Sequence, residues 1–214
     1  VPGAVMAPLR VAKAHAYGND FLFAPRDDVP GDAARLARAL CHRHEGIGAD
    51  GLILYSVRAA AATMRLLNAD GSPSELSGNG LRCLAALVAR AQGLAPGVTI
   101  TADTDAGIKT LKLLSYDGQR YTFRAALGPP TDIRQIQIPV LDETLTASVL
   151  WMGNPQCVIL GPLPTLDYFN RVGPALAKHP VFPAGTNVEF AHVTNVSSPT
   201  SVGGFCSMKA MSTR

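Results

Sequence analysis

Between Leu9 and Val193 the apolar residues of this chain gather in short runs, each broken by Gly, Asn, Asp or Pro. Side chains alternate faces along a strand, so such runs bury an apolar side as strands of a sheet. The runs fall at Leu9–Ala14, Phe21–Ala24, Leu52–Val57, Thr63–Asn68, Val98–Ala102, Ile108–Ser115, Tyr121–Ala126, Ile136–Pro139, Ser148–Met152, Cys157–Leu160 and Asn187–Val193. Helical spacing is confined to three places. Asp32 can cap a helix through about His42, with Leu36 and Leu40 on one face. Leu81, Leu84, Ala85 and Val88 stripe a helix over about Gly80–Ala91, and Gly93 follows where a C-terminal cap belongs. A third helix is expected from about Asp167 to Lys178. Many strands and few helices argue for an α+β fold.

Gly128–Gln135, with Pro129 and Pro130, reads as a linker, so residues 1–116 form one half and 117–193 a second. Residues 194–214 are rich in Ser, Thr and Gly and keep neither period, which reads as an aperiodic tail. The 214 residues suffice for one domain or two small ones. With 47% hydrophobic residues the chain buries a core, which excludes disorder as its description. A net charge of +3 with no Lys/Arg run gives no reason to expect nucleic acid or an anionic membrane as partner. No apolar stretch approaches the ~18 residues of a membrane span, and no signal peptide is expected, with Met6 as the natural start. Four widely spaced cysteines suit a reduced, cytoplasmic protein.

Two motifs invite assignments that their surroundings oppose. Gly46, Gly48 and Gly51 match a dinucleotide fingerprint, but a helix precedes them and an apolar run follows, the reverse of what the fingerprint needs. They read as a turn where backbone passes close to a neighbour. Cys41-His42-Arg43-His44 suggests a metal, yet no second Cys or His pair stands at a zinc spacing, so no metal site is expected. A histidine charge at a helix C-terminus is the expected role.

The stretch Asn68–Cys83 carries more. Its Ser77-Gly78-Asn79-Gly80 cluster feeds directly into the amphipathic helix. A helix N-terminus leaves backbone N–H groups unpaired at the positive end of its dipole, and glycines let an anion approach them. An α-carboxylate fits there, with Ser77 beside it; Ser77 or Asn79 serves equally as a plain cap. Asn19, Asn68, Asn154 and Asn187 lie in similar polar breaks. A carboxamide both donates and accepts, so several together suit a ligand with carboxylate and ammonium groups.

Six segments in order resemble the diaminopimelate epimerase family: His15–Phe21, Arg43–Gly51, Asn68–Ser72, Ser77–Cys83, Met152–Pro155 and Asn187–Phe190. The resemblance implies two pseudo-symmetric, strand-rich halves, each rolled around a central helix, with substrate in the cleft between them. It implies a homodimer without cofactor or metal that epimerises LL-diaminopimelate to meso-diaminopimelate for lysine and peptidoglycan precursor synthesis. Substrate binding falls on Asn19, Asn68, Asn154 and Asn187, and carboxylate binding on the backbone of Gly78 and Asn79. In the family, one thiolate removes the α-proton from one face and a thiol on the other returns a proton.

Three departures bear on that chemistry. Ser77 stands where the family has its first catalytic thiol, and a hydroxyl is a far weaker acid. Gln156 stands where the family usually has His. The Glu-Arg pair and Cys-Gly-Thr-Gly motif that end the family's second half do not occur, as after truncation or frameshift, and Cys206 lacks their setting. The second half is therefore expected to be incomplete, and the strand completing the first half to be missing. Two other readings stand beside the epimerase: a non-catalytic amino-acid-binding protein or inactive fragment, and another isomerase of the same fold, similar to proline racemase or the phenazine-pathway isomerase.

Overall fold

A computed structural model describes residues 9–29 and 31–192 and the backbone of 204–209. The first unit contains β1 (Ala12–Ala16), β2 (Asn19–Pro25), α1 (Ala33–Cys41), β3 (Gly51–Arg58), β4 (Ala61–Asn68), the two-residue β5 (Pro73–Ser74), α2 (Gly78–Gln92), β6 (Thr99–Thr104), β7 (Gly107–Tyr116) and β8 (Arg120–Ala126). The second contains β9 (Thr131–Val140), β10 (Glu143–Trp151), β11 (Pro155–Leu160), α3 (Leu166–Ala177) and β12 (Asn187–Ala191). A last strand, β13 (Gly204–Lys209), returns to the first unit.

In the first unit the strand order is β3-β2-β1-β13-β8-β7-β6-β4-β5, and β3 also pairs with β4. That extra pairing joins the ends, so eight strands form a ring of hydrogen-bonded neighbours. Helix α2 packs against β1, β2, β6, β8 and β13. Apolar side chains from the strands, among them Phe21, Phe23, Ile53, Ile100, Leu111, Leu113 and Phe123, meet its Leu81, Leu84 and Val88 in one buried cluster. The expected stripe is therefore too narrow: α2 buries every residue from Cys83 to Ala89, because strands flank it on several sides. Outside the ring, α1 covers Leu22, Leu52, Leu54 and Leu67 with Ala37 and Cys41. Strands β2 and β3 are thus buried on both faces, which accounts for the unbroken apolar runs Phe21–Ala24 and Leu52–Leu54.

The second unit is an open sheet, β12-β11-β10-β9, with α3 against Ile138, Val140, Ala147, Val149 and Cys157. It repeats the topology of the first unit's opening elements. Hairpin β1–β2 leads through α1 to β3, parallel to β2; hairpin β10–β11 leads through α3 to β12, parallel to β11. Both hairpin turns pass through a glycine in the left-handed region just before an asparagine, Gly18 (φ +84°) before Asn19 and Gly153 (φ +82°) before Asn154. The α+β fold with two strand-rich halves is thereby shown.

Three expectations change. The units part between Leu127 and Gly128 rather than at 116/117, because β8 forms a hairpin with β7. The presumed linker is β-strand from Thr131 onward, as β9 and β10 pair along most of their length. The last twenty residues are not aperiodic throughout: β13 pairs antiparallel with both β1 and β8 and fills the slot expected to be empty. A strand paired on both edges draws its stability from two ladders of backbone hydrogen bonds, which leave little trace in the sequence. No helix among the described residues is long and apolar enough to cross a membrane.

Candidate functional site

At the start of α2, Ser77 is the N-cap, with extended backbone and its Oγ accepting from Gly80 N at 3.1 Å. The Leu81 N–H reaches the Ser77 carbonyl at 2.8 Å. That leaves the N–H groups of Gly78 and Asn79 without a partner among the described residues, at the positive end of a fifteen-residue helix with no acidic residue in its first turn. A Cβ at Gly78 would lie 3.6 Å from Arg82 Nη1 and 3.7 Å from Leu127 Cδ1, in ordinary contact with both. Arg82 Nη1 donates to Asn79 Oδ1 at 3.0 Å, while Arg82 Nε is buried and has no hydrogen-bond partner among the described residues.

Asn19 and Asn68 occupy the same end of the β2–β3–β4 segment, since Phe21 registers with Gly51 and Gly51 with Asn68. Gly80 of α2 packs on that segment, with a built Cβ 2.9 Å from Ile53 Cδ1. Asn68 Nδ2 donates to Ser72 Oγ at 2.9 Å, and Ser72 in turn donates to Asp70 Oδ1, through its N–H at 2.8 Å and its hydroxyl at 2.6 Å. These bonds hold the Asp70 carboxyl below its ordinary range and brace the turn. In the second unit, Asn154 and Asn187 meet at the start of neighbouring parallel strands, Asn187 Nδ2 donating to Pro155 O at 3.4 Å. Gln156 Nε2 donates to Asn154 Oδ1. The structure thus gathers Asn19, Asn68, Ser77, Gly78 and Asn79 in one unit and Asn154 and Asn187 in the other.

A charged network beside Asn19 escaped sequence reasoning. Asp20 takes Arg43 Nη2 at 2.8 Å and Lys13 Nζ at 2.9 Å, and its N–H donates to Asp50 Oδ2 at 2.9 Å. Arg43 Nη2 also reaches Asp50 Oδ1 at 2.7 Å. Burial opposes ionisation of Asp20, but the Arg43 and Lys13 bonds overcome it and hold this carboxyl well below the usual range. The partners lie 23 and 30 positions apart, beyond any local spacing rule. The network ties the turn before β2 to the glycine loop before β3. That loop wraps the end of α1, with Ile47 and Gly48 N–H groups on the Leu40 carbonyl and Ala49 N–H on that of Cys41. Its glycines are therefore close-approach residues, as expected of the inverted fingerprint. His42 is the C-cap of α1, and its Nδ1 accepts from Glu45 N at 3.0 Å where the chain turns back.

The described cysteines offer no activated thiol. Burial, with Asp20 and Asp50 nearby, pushes Cys41 up to about 11, and burial with Glu189 nearby does the same to Cys157. Cys83 is wholly buried inside α2. The side chain of Cys206 lies outside the described residues.

A roll of strands around a helix, followed by a second strand-rich unit, defines a fold that solved epimerases and racemases share. Among solved structures, a "predicted epimerase" from Pseudomonas aeruginosa shares the fold at TM-score 0.61 and 12% identity, over 87% of this chain and 70% of that one. A probable proline racemase from Agrobacterium radiobacter matches at TM-score 0.53 and 14% identity, over 71% and 52%. The sequence pattern described as diaminopimelate epimerase matches residues 11–131. The diaminopimelate epimerase of Moorella thermoacetica is 41% identical over 203 residues, 87% of this chain and 72% of that protein. That of Desulfitobacterium hafniense is 40% identical over 209 residues, with the same coverage. This chain belongs to the diaminopimelate epimerase family, and so to the amino-acid epimerases.

Proposed function

We propose that this chain acts on LL-diaminopimelate, inverting one α-carbon to give the meso form without a cofactor, in lysine and peptidoglycan precursor synthesis. The N-terminus of α2 carries the reading: its cap satisfies Gly80 and Leu81 and leaves Gly78 and Asn79 to receive a carboxylate. The matched family pattern covers this segment, which supports the assignment. Removing the α-proton leaves its electron pair to spread into the carboxylate. Donors already aimed at that group stabilise the added charge without reorganising. A proton returned to the opposite face completes the inversion. Asn19, Asn68, Asn154 and Asn187 are assigned to the substrate's polar groups. The same reading makes the protein a cytoplasmic homodimer.

Ser77 takes the position of the first base. Its Oγ accepts the Gly80 N–H, which favours the deprotonated form, but no side-chain base is bonded to it among the described residues. A hydroxyl so placed is a slow base. That observation favours a second reading, binding of the substrate with little turnover.

NMR of LL-diaminopimelate with the protein in D₂O tests both. Slow loss of the α-proton signal is expected, abolished by Ser77→Ala or Asn79→Ala and accelerated at least tenfold by Ser77→Cys. Exchange that survives Ser77→Ala at full rate rejects Ser77 as the base. No exchange in the native protein or in Ser77→Cys, with binding seen by calorimetry, leaves the binding reading.

A further inference from the structure

We propose that Glu189, with Gln156 and Asn187 on the same sheet face, forms a seat for a primary ammonium group in the second unit. This deepens the diamino dicarboxylate reading above, on which it rests for the identity of the ligand, by assigning one of the two substrate ammonium groups to β11 and β12.

Val188 and Phe190 pack with Cys157 and Ile159 in the cluster under α3. Side chains alternate along a strand, so Gln156, Asn187 and Glu189 lie on the opposite face of the sheet. Gln156 registers with Asn187 across the parallel pair, and Glu189 stands two positions farther along β12. Long side chains bridge such a diagonal.

Each of the three leaves an acceptor. Asn187 Nδ2 donates to Pro155 O at 3.4 Å, and a carbonyl only accepts, so the amide orientation is fixed and Oδ1 is left over. Gln156 Nε2 donates to Asn154 Oδ1, which leaves Gln156 Oε1. Glu189 Oε2 is buried without a hydrogen-bond partner, and Glu189 forms no ion pair among the described residues. Burial shifts this carboxyl above its ordinary value. A carboxylate withdrawn from water and left unpaired opposes folding, and an arriving cation removes that cost. Two amide oxygens and a carboxylate match the three donors of an ammonium.

The first unit shows that the topology does not call for these groups. Phe21 stands two positions after Asn19 and registers with Gly51, as Gln156 stands two positions after Asn154 and registers with Asn187. Ile53, two positions after Gly51, therefore corresponds to Glu189. Phe21 and Ile53 are both buried in the core around α2. Where the first unit places apolar packing, the second places acceptors.

Carbon-13 NMR of the Glu189 carboxyl in the native protein, titrated against pH, tests the seat with 1,5-diaminopentane, which carries two ammonium groups and no carboxylate. The diamine should bring that titration down toward the ~4.3 of an unperturbed glutamate, and pentane-1,5-diol, its uncharged counterpart, should leave it in place. By calorimetry, Glu189→Gln should weaken LL-diaminopimelate at least tenfold and Gln156→Leu at least threefold. Glu189→Gln should also keep or raise the urea midpoint at neutral pH, since it removes an unpaired interior charge; a purely structural glutamate would lower it. Gln156→Leu, at a place where the first unit carries Phe, covers a Glu189→Gln protein that fails to fold. A titration unmoved by the diamine, or LL-diaminopimelate affinity unchanged within twofold in both variants, overturns the proposal. A response to the diamine without binding of LL-diaminopimelate would instead sink the functional reading and leave the ammonium seat standing.

Discussion

Asp20 sits one position from a candidate ligand residue and is held by Lys13 of the neighbouring strand and by Arg43 and Asp50 from farther along the chain. Its carboxyl ionises at lower pH in the folded protein than in the unfolded chain, where aspartate titrates near ~3.9. The unfolded state therefore binds the proton more readily, and stability falls as the medium acidifies. The contribution should be whole above pH ~4 and decline as pH drops below that value. Urea unfolding at steps from pH 5.5 to 3 should show a steeper acid loss in the native protein than in Asp20→Asn. Equal slopes would mean that the network does not bias the carboxyl. At this scale the sequence was informative about type and poor about partners. Asn19, Asn68 and Ser77 announced themselves through turn and cap chemistry, while nothing local marked Lys13 or Arg43 as partners of Asp20.

Among the elements, α1 and its closing loop show most plainly how residue choice and packing interlock. Asp32 caps the helix by accepting from Ala34 and Arg35 N–H groups, as its position promised. The loop then crosses the far end so closely that a Cβ at Gly46 would meet the carbonyl oxygens of Ala39, Leu40 and His42. Backbone oxygens cannot step aside without breaking the helix end. Gly46→Ala should therefore destabilise the protein by about 3 kcal/mol in urea unfolding. Gly161, where a Cβ would meet nothing within 4 Å and φ is not positive, is the control, and Gly161→Ala should stay within about 0.5 kcal/mol. A Gly46→Ala protein as stable as the control would show that the loop can lift away from the helix. Capping was readable because it is local. The steric demand on Gly46 was readable only as a vague close approach, since the obstructing atoms come from the preceding helix turn.

For the whole molecule, the deciding event is the return of β13 to close the ring. Without it β1 and β8 become free edges, and the cluster around α2 opens along that side. Unpaired edges are templates for association. Removing residues 204–214 should lower the urea midpoint and produce light-scattering aggregates at micromolar concentration. A monodisperse truncated protein with an unchanged midpoint would mean that β13 adds nothing to closure.

The sequence by itself determined the fold class, the strand and helix inventory through residue 191 apart from the two-residue β5, the caps of α1 and α2 and the membership of the family, because each rests on periodicity or short motifs read within a few residues. Only the tertiary structure decided where the units part, that β9 begins inside an apparent linker, that α2 is buried beyond its stripe, and that Arg43 and Asp50 close on Asp20. These depend on pairing across long separations. Backbone ladders reward strand pairing with little regard to side-chain identity, so a segment such as Gly204–Lys209 carries no pattern of its own until β1 and β8 stand on either side of it.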